Sequence, residues 1–275
     1  MTQKKGKTMK RFDGLILCSD VDGTLIDENN TVPKENIEAI AYFQAHGGKF
    51  MLATGRIPEA VTPILDGIHP DLPGICHNGC SIYDFNEKKY VATTELSRTS
   101  VAPAKEIMAL FPESGVEILT EDGIYIVKPN FATKRHITFE KITAKPAESF
   151  YSVTATWLKI LFAQDPEDTT KMQEAMKNSP YRENFTLIRT HQYYYEIFNK
   201  NANKGNALKQ FCSMYQLDTK NLLAIGDNDN DAEMLKIASV SAAVCGAAPS
   251  AQDAADMVMT KTNEEGAVAE FISGL

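Results

Sequence analysis

The sequence predicts an α/β protein: a doubly wound, Rossmann-like parallel sheet interrupted by an inserted α+β unit. Three observations predict it. Short apolar runs ending in polar or acidic residues alternate with helical stretches at the start of the chain. The same rhythm returns in the C-terminal third. The middle instead carries hairpin-like runs mixed with helices, the mark of an antiparallel sheet.

Gly14 to Asp20 is a continuous apolar run closed by a carboxylate, as expected of a strand buried on both faces. Pro33 to His46 places Ile37, Ile40, Ala41 and Phe43 at helical spacing, and Gly47-Gly48 stops it. Lys49 to Ala53 reads as a second buried strand, and a helix is expected from Pro58. In the middle, Glu117 to Val127 reads as a hairpin around Glu121-Asp122-Gly123. Helices are expected near 102–111 and 169–178, and strands near 158–163 and 185–190. After these come a helix from Asn206 to Tyr215, a strand from Leu222 to Ile225 and a helix from Asp231 to Ala238. Strands at 242–245 and 256–260 and a helix from Glu265 to Ile272 close the chain. The division expected is a core of 1–84 and 194–275, with 85–193 inserted. A β-α-β-α order requires right-handed crossovers, which build a parallel sheet.

Composition sets the limits. The chain has 275 residues, long enough for a core plus an insert. With 43% hydrophobic and 23% charged residues it can pack a core, so disorder is not indicated. A net charge of −8 gives no electrostatic footprint for nucleic acid, although a local basic pocket can still hold an anion. No apolar run approaches a membrane span, and the basic start Met1–Lys7 reads as a solvated tail. Five cysteines, odd in number and scattered, fit reduced thiols in a cytoplasm. Cys76-His77-Asn78-Gly79-Cys80 has no second pair at finger-like spacing, so buried thiols are expected there rather than zinc.

Four segments fall at the ends of expected core elements, where open α/β sheets bind ligands. Asp20-Val21-Asp22-Gly23-Thr24 sets two carboxylates just past a buried strand. Such a pair is costly unless a metal or hydrogen bonds compensate. Asp20 can act there as a nucleophile and Asp22 as a general acid and base. Asp22-Gly23 alone also reads as a solvated turn. Thr54-Gly55-Arg56 offers a hydroxyl and backbone N–H groups that can grip a phosphoryl oxygen at a helix N-terminus, or a simple N-cap. Lys204 enters a helix, where an ammonium can neutralise a nucleophile and a phosphate together; alone it reads as a surface lysine. Gly226-Asp227-Asn228-Asp229-Asn230-Asp231 crowds three acids after a strand, suggesting a hard-cation site or a solvated acidic turn. It is no EF-hand, since Ala232 and Ala238 stand where Gly and Glu are required.

Taken in order, Asp-x-Asp-Gly-Thr, Thr-Gly-Arg, Lys-Gly and Gly-Asp-x-x-x-Asp resemble the haloacid dehalogenase superfamily of phosphohydrolases. Asn78-Gly79, the Glu196-Ile197 pair and Asn230-Asp231-x-x-Met234 resemble its Cof-type branch. The resemblance covers roughly 10–85 and 195–275 and implies a cap domain between the second and third motifs. It departs at Asn201, where the family often has Gly, and at Cys245-Gly246-Ala247-Ala248, which lacks a customary Asn.

The resemblance implies a Mg²⁺-dependent phosphatase acting on small phosphorylated metabolites, sugar phosphates or similar phosphomonoesters, through an aspartyl-phosphate on Asp20. Asp22 would be the general acid and base. Asp20, the Asp22 carbonyl and Asp227 would hold Mg²⁺, with Asp231 orienting water or Lys204 from behind. Thr54, Gly55, Lys204 and Asn230 would cradle the phosphoryl group. Cap residues would set specificity, with Lys159, Arg189 and His191 as candidates. A phosphotransferase or mutase such as a phosphomannomutase, which resembles this architecture and shares the aspartyl-phosphate but passes phosphate to a sugar, is one alternative, and a binding protein that lost the chemistry is the other. A nucleotide-binding module is disfavoured, for no Walker A sequence and no Gly-x-Gly-x-x-Gly after a strand is present.

Overall fold

A computed structural model describes residues 10–275, so the basic stretch Met1–Lys7 lies outside the described residues. From the start run β1 (Ile16–Asp20), α1 (Lys34–Ala45), β2 (Lys49–Ala53), α2 (Pro58–Val61), β3 (Gly74–Cys76), β4 (Ser81–Asp84) and β5 (Lys89–Thr93). The middle comprises α3 (Val101–Leu110), β6 (Gly115–Thr120), β7 (Gly123–Lys128), α4 (Phe131–Glu140), β8 (Ala144–Pro146), β9 (Trp157–Ala163), α5 (Pro166–Ala175), β10 (Phe185–His191) and β11 (Tyr194–Asn199). Then follow α6 (Lys204–Tyr215), β12 (Leu222–Gly226), α7 (Ala232–Ile237), β13 (Val240–Ala243), α8 (Pro249–Ala254), β14 (Met257–Val258) and α9 (Ala267–Gly274).

The first sheet has eight strands in the order β14-β13-β12-β1-β2-β3-β4-β5. It is parallel from β14 to β3, and β4 and β5 close it antiparallel. All five residues of β1 are buried. Leu17 packs into a layer with Phe43 of α1 and Phe271 of α9. Ile16 and Cys18 face the opposite layer, with Leu208 and Phe211 of α6. Helices cover both faces, so the strand needs no polar alternation. Each such phenylalanine contributes roughly 1.5–3 kcal/mol by leaving water. The chain winds away from β1 in both directions, through β2 on one side and β12 on the other. The strand order therefore reverses at β1, and a crevice opens beyond its carboxyl end.

The second sheet has six strands in the order β10-β11-β9-β6-β7-β8, antiparallel except for β7 and β8. On one face Ile118, Ile160, Phe162 and Ile197 pack with Ile107 of α3 and Met172 of α5. On the other, Leu119 and Leu161 pack with Ala132 of α4, and the same cluster takes in Ala60 of α2 and Ile57 just before it. That face thus turns toward the first sheet's loops.

The α/β class, with a parallel sheet and a separate second sheet, is the one expected. Four pieces differ. The hairpin strand β5, the strand β11 and the helix α4 were not expected, and the strand at 256–260 shrinks to two exposed residues. Helix α4 (Phe-Ala-Thr-Lys-Arg-His-Ile-Thr-Phe-Glu) lacks a clean apolar stripe and holds β-branched residues. It is fixed by a capping box, in which Asn130 and Thr133 exchange side-chain-to-backbone hydrogen bonds. Asn201 is not in a left-handed conformation, so the absent Gly leaves no strained backbone there.

Candidate active site

The sheet brings three of the four segments side by side. In register, Asp20 ending β1 pairs with Ala53 ending β2, and Ser19 pairs with Ile225 of β12. Asp20, Thr54 and Asp227 therefore sit at the carboxyl ends of three adjacent strands. Lys204 arrives from α6, whose start is capped by the Asn203 side chain accepting from the Asn206 amide at 2.7 Å. The turn His77-Asn78-Gly79 packs against this start. Gly79 has φ +94°, and a Cβ there would collide with the Asn203 carbonyl, so glycine is required.

Lys204 is fully buried and bridges two carboxylates. Its Nζ donates to Asp20 Oδ1 at 2.5 Å and to Asp231 Oδ1 at 2.6 Å. Asp231 Oδ2 accepts from the backbone amides of Asp227 and Asn228 at 3.1 and 3.0 Å. Asp231 is thus fully employed in fixing Lys204 and the acidic loop. Asp227 Oδ1 accepts from the Thr24 hydroxyl at 3.0 Å. Gly23, at φ +78°, brings the Asp-x-Asp turn so close that a Cβ would lie 2.5 Å from the Asp227 carboxylate. The Ala248 amide donates to the Asp227 carbonyl at 2.7 Å, so the loop lacking the customary Asn still ties down the acidic segment.

The electrostatics are lopsided. Burial, then Asp231, Asp227 and Asp22, push Asp20 well above the usual carboxylate range, opposed by Lys204. Burial and Asp231 push Asp227 up to about 6. Burial alone would lower Lys204, but Asp20 and Asp231 more than reverse it. Carboxylate oxygens of Asp20, Asp227 and Asp231 lie within 4.8 Å of one another with one ammonium among them. That deficit of positive charge fits a hard dication. Asp231 is already satisfied, so Asp20 and Asp227 are the side chains such an ion would draw on.

Asp22 is exposed and stands apart from this cluster. Arg56 grips it, with Nε 3.0 and 3.1 Å from its two oxygens and Nη2 2.6 Å from Oδ1. Arg56 also donates to Asn30 Oδ1 and lies 3.5 Å from Glu140 Oε2 at the end of α4. Thr54 is buried, and its hydroxyl accepts from the Arg56 amide at 3.1 Å. This turn precedes α2 by several residues, so Thr54 neither caps a helix nor lies at a helix N-terminus, against both readings of the sequence. Asn230 is exposed and donates to Asn78 Oδ1 at 3.0 Å.

Beyond the cluster a cavity of about 330 Å³ lies between the two sheets, lined by Asp22, Gly55 and Arg56 on one side and by α4, β9 and β11 on the other. Of the three specificity candidates, Lys159 and His191 line it and Arg189 does not. Arg189 instead donates to Thr170 Oγ1 at 3.2 Å and to the His191 carbonyl at 3.3 Å. Lys159 is buried against Glu196 at 2.5 Å, so its charge is already matched. Arg135, His136 and Glu140, all on α4, also line the cavity and were missed, because α4 itself was not legible. Four of the five thiols are buried and Cys245 is exposed, and His77 Nδ1 shares a hydrogen bond with the Ser81 hydroxyl at 2.9 Å.

The fold is that of one family. Residues 17–272 match the model of the haloacid dehalogenase-like hydrolases, and the chain belongs to that family. The Cof-type branch expected from the motifs stands as well. YxeH of Bacillus subtilis, which carries a provisional phosphatase name, is 26% identical over 271 residues, covering 94% of this chain and 97% of its own. The pyridoxal phosphate phosphatase YbhA of Escherichia coli is 26% identical over 271 residues, covering 94% and 97%. Among solved structures, a haloacid dehalogenase-like hydrolase from Bacteroides thetaiotaomicron superposes with a TM-score of 0.81 at 20% identity, covering 94% of this chain and 98% of that one.

Proposed function

We propose that this hydrolase is a Mg²⁺-dependent phosphatase of small phosphorylated metabolites, working through an aspartyl-phosphate on Asp20. The observation that carries the proposal is the Lys204 bridge: a buried ammonium shared by Asp20 and Asp231, with Asp227 beside them. Held this way, Asp20 presents a fixed oxygen for in-line attack on phosphorus. The Asp20–phosphorus bond forms as the bond to the leaving oxygen breaks. Asp22 supplies the proton to that oxygen, then takes one from the water that cleaves the intermediate. The ion pair with Arg56 matches Asp22 as a carboxylate, the form that takes a proton from water. Donating a proton requires Arg56 to loosen.

The Mg²⁺ ion would be held by Asp20, Asp227 and the Asp22 carbonyl, and when bound it supplies charge neutralisation for the phosphoryl oxygens. Lys204 adds the second positive charge. Thr54, the Gly55 backbone and Asn230 would complete the phosphoryl cradle. We further propose that the inserted unit is a cap, with its ends just after Thr93 and Asn199 in place of 85 and 193. The pairings of β5 with β4 and β11 with β9 support that shift. The provisional and established phosphatase names of YxeH and YbhA favour the same reaction class. Five free cysteines suit a reducing, cytoplasmic setting.

The test is phosphate release from a panel of phosphorylated metabolites, with Mg²⁺ or chelator, for wild type and Asp20→Asn. Metal-dependent release that vanishes in the variant is expected. An equally active variant would sink the covalent step. Interconversion of sugar phosphates without free phosphate would make the protein a mutase.

A further inference from the structure

Among the described residues, the charges lining the cavity are paired, with one exception. Asp22 and Glu140 share Arg56. Glu196 has Lys159 at 2.5 Å, and His136 Nδ1 lies 2.8 Å from Glu117 Oε2. Arg135 has no carboxylate partner among the described residues. Its guanidinium carbon sits 3.5 Å from the centroid of the Tyr193 ring, and its buried Nη1 has no hydrogen-bond partner among the described residues. A buried donor left unmade is costly, and a guanidinium is shaped to grip a carboxylate or phosphate with two parallel bonds. The aromatic ring orients the guanidinium without satisfying it.

The position suits recognition of a leaving group. Arg135 lies on α4 of the inserted unit, across the cavity from Asp22 and Gly55. His191 stands between the two ends. Its ring stacks on Tyr194 at 5.0 Å, and it feels the charges of both Arg135 and Asp22. A cavity of about 330 Å³ admits a metabolite and little more.

We propose that Arg135 is a specificity residue for a second anionic group, so that the preferred substrate is a phosphomonoester whose leaving group ends in a carboxylate. This rests on the phosphatase reading above. A single charge-assisted contact of this kind discriminates by about tenfold to a hundredfold.

The test compares kcat/KM for pairs that differ only in that group: 3-phosphoglycerate with glycerol 3-phosphate, and 6-phosphogluconate with sorbitol 6-phosphate. Each is run with Mg²⁺ on wild type, Arg135→Met and Arg135→Lys, with p-nitrophenyl phosphate as a probe of hydrolysis itself. Wild type is expected to prefer the acid member of at least one pair by tenfold or more. Arg135→Met should lose that preference, mainly through KM of the acid, and Arg135→Lys should restore part of it. If p-nitrophenyl phosphate is hydrolysed but wild type shows no preference, or Arg135→Met keeps it, the role assigned to Arg135 is wrong. Release from no probe at all sinks the phosphatase reading and this proposal with it.

Discussion

Replacing Asp227 by Asn should stabilise the metal-free protein at neutral pH while removing its response to Mg²⁺. Asp227 is raised from an ordinary 3.8 to about 6, by burial and by Asp231 beside it. A group raised in this way favours folding while it stays protonated. Its contribution is fully present below about pH 4 and is lost as pH rises through about 6. The difference of roughly two pH units corresponds to roughly 3 kcal/mol against the folded state at pH 7.5. Asparagine has nearly the same shape and keeps an oxygen to accept the Thr24 hydroxyl, but carries no charge. In chelator the variant should therefore melt higher than wild type at pH 7.5, by about 5–10 °C, and match it near pH 4. Magnesium reverses the order. At a hundred times its Kd it should stabilise wild type by about 2.7 kcal/mol and leave the variant unmoved. Thermal melts of both proteins at several pH values, with and without Mg²⁺, check all of this. A variant that melts lower than wild type in chelator at pH 7.5 would refute the crowding of carboxylates on which the cation site is argued.

Two further perturbations read other parts of the argument. Lys204→Met leaves Asp20 and Asp231 buried without their ammonium, so it should destabilise by about 3–5 kcal/mol and cut phosphate release at least a thousandfold by rough expectation for a paired buried charge at the reacting centre. Urea unfolding beside steady-state kinetics measures both losses. In the inserted sheet, Lys159→Met alone should cost about 3–5 kcal/mol by stranding Glu196, whereas Lys159→Met with Glu196→Leu should recover most of it. Equal stability of the single and double variants would show that the pair is not coupled.

Much of the candidate site was legible in the sequence. Asp20, Thr54 and Asp227 each follow a short apolar run, and a parallel sheet puts the ends of such runs together. Lys204 opens a helix behind Asn203, a capping residue readable by type. The residues that escaped share a different property. Arg56 stood in a motif, yet its grip on Asp22 and its reach to Glu140 join segments whose proximity no local pattern encodes. Arg135 and Glu140 sit on α4, which is held by a capping box and by packing rather than by an apolar stripe. β11 was hidden because Glu196, inside it, is buried with Lys159 and breaks the hydrophobic signal.

The sequence by itself determined the class of fold, the family, the acids and threonine at the strand ends and the lysine that opens a helix. These depend on chain-local patterns: buried runs, turns and the spacing of a few polar residues. Tertiary structure alone decided which charges meet. It gave Asp231 to Lys204 and to two backbone amides, paired Asp22 with Arg56, neutralised Lys159 with Glu196 and set Arg135 over Tyr193 with no carboxylate partner among the described residues. Electrostatic energy depends on distance and burial in space, and neither is a function of separation along the chain.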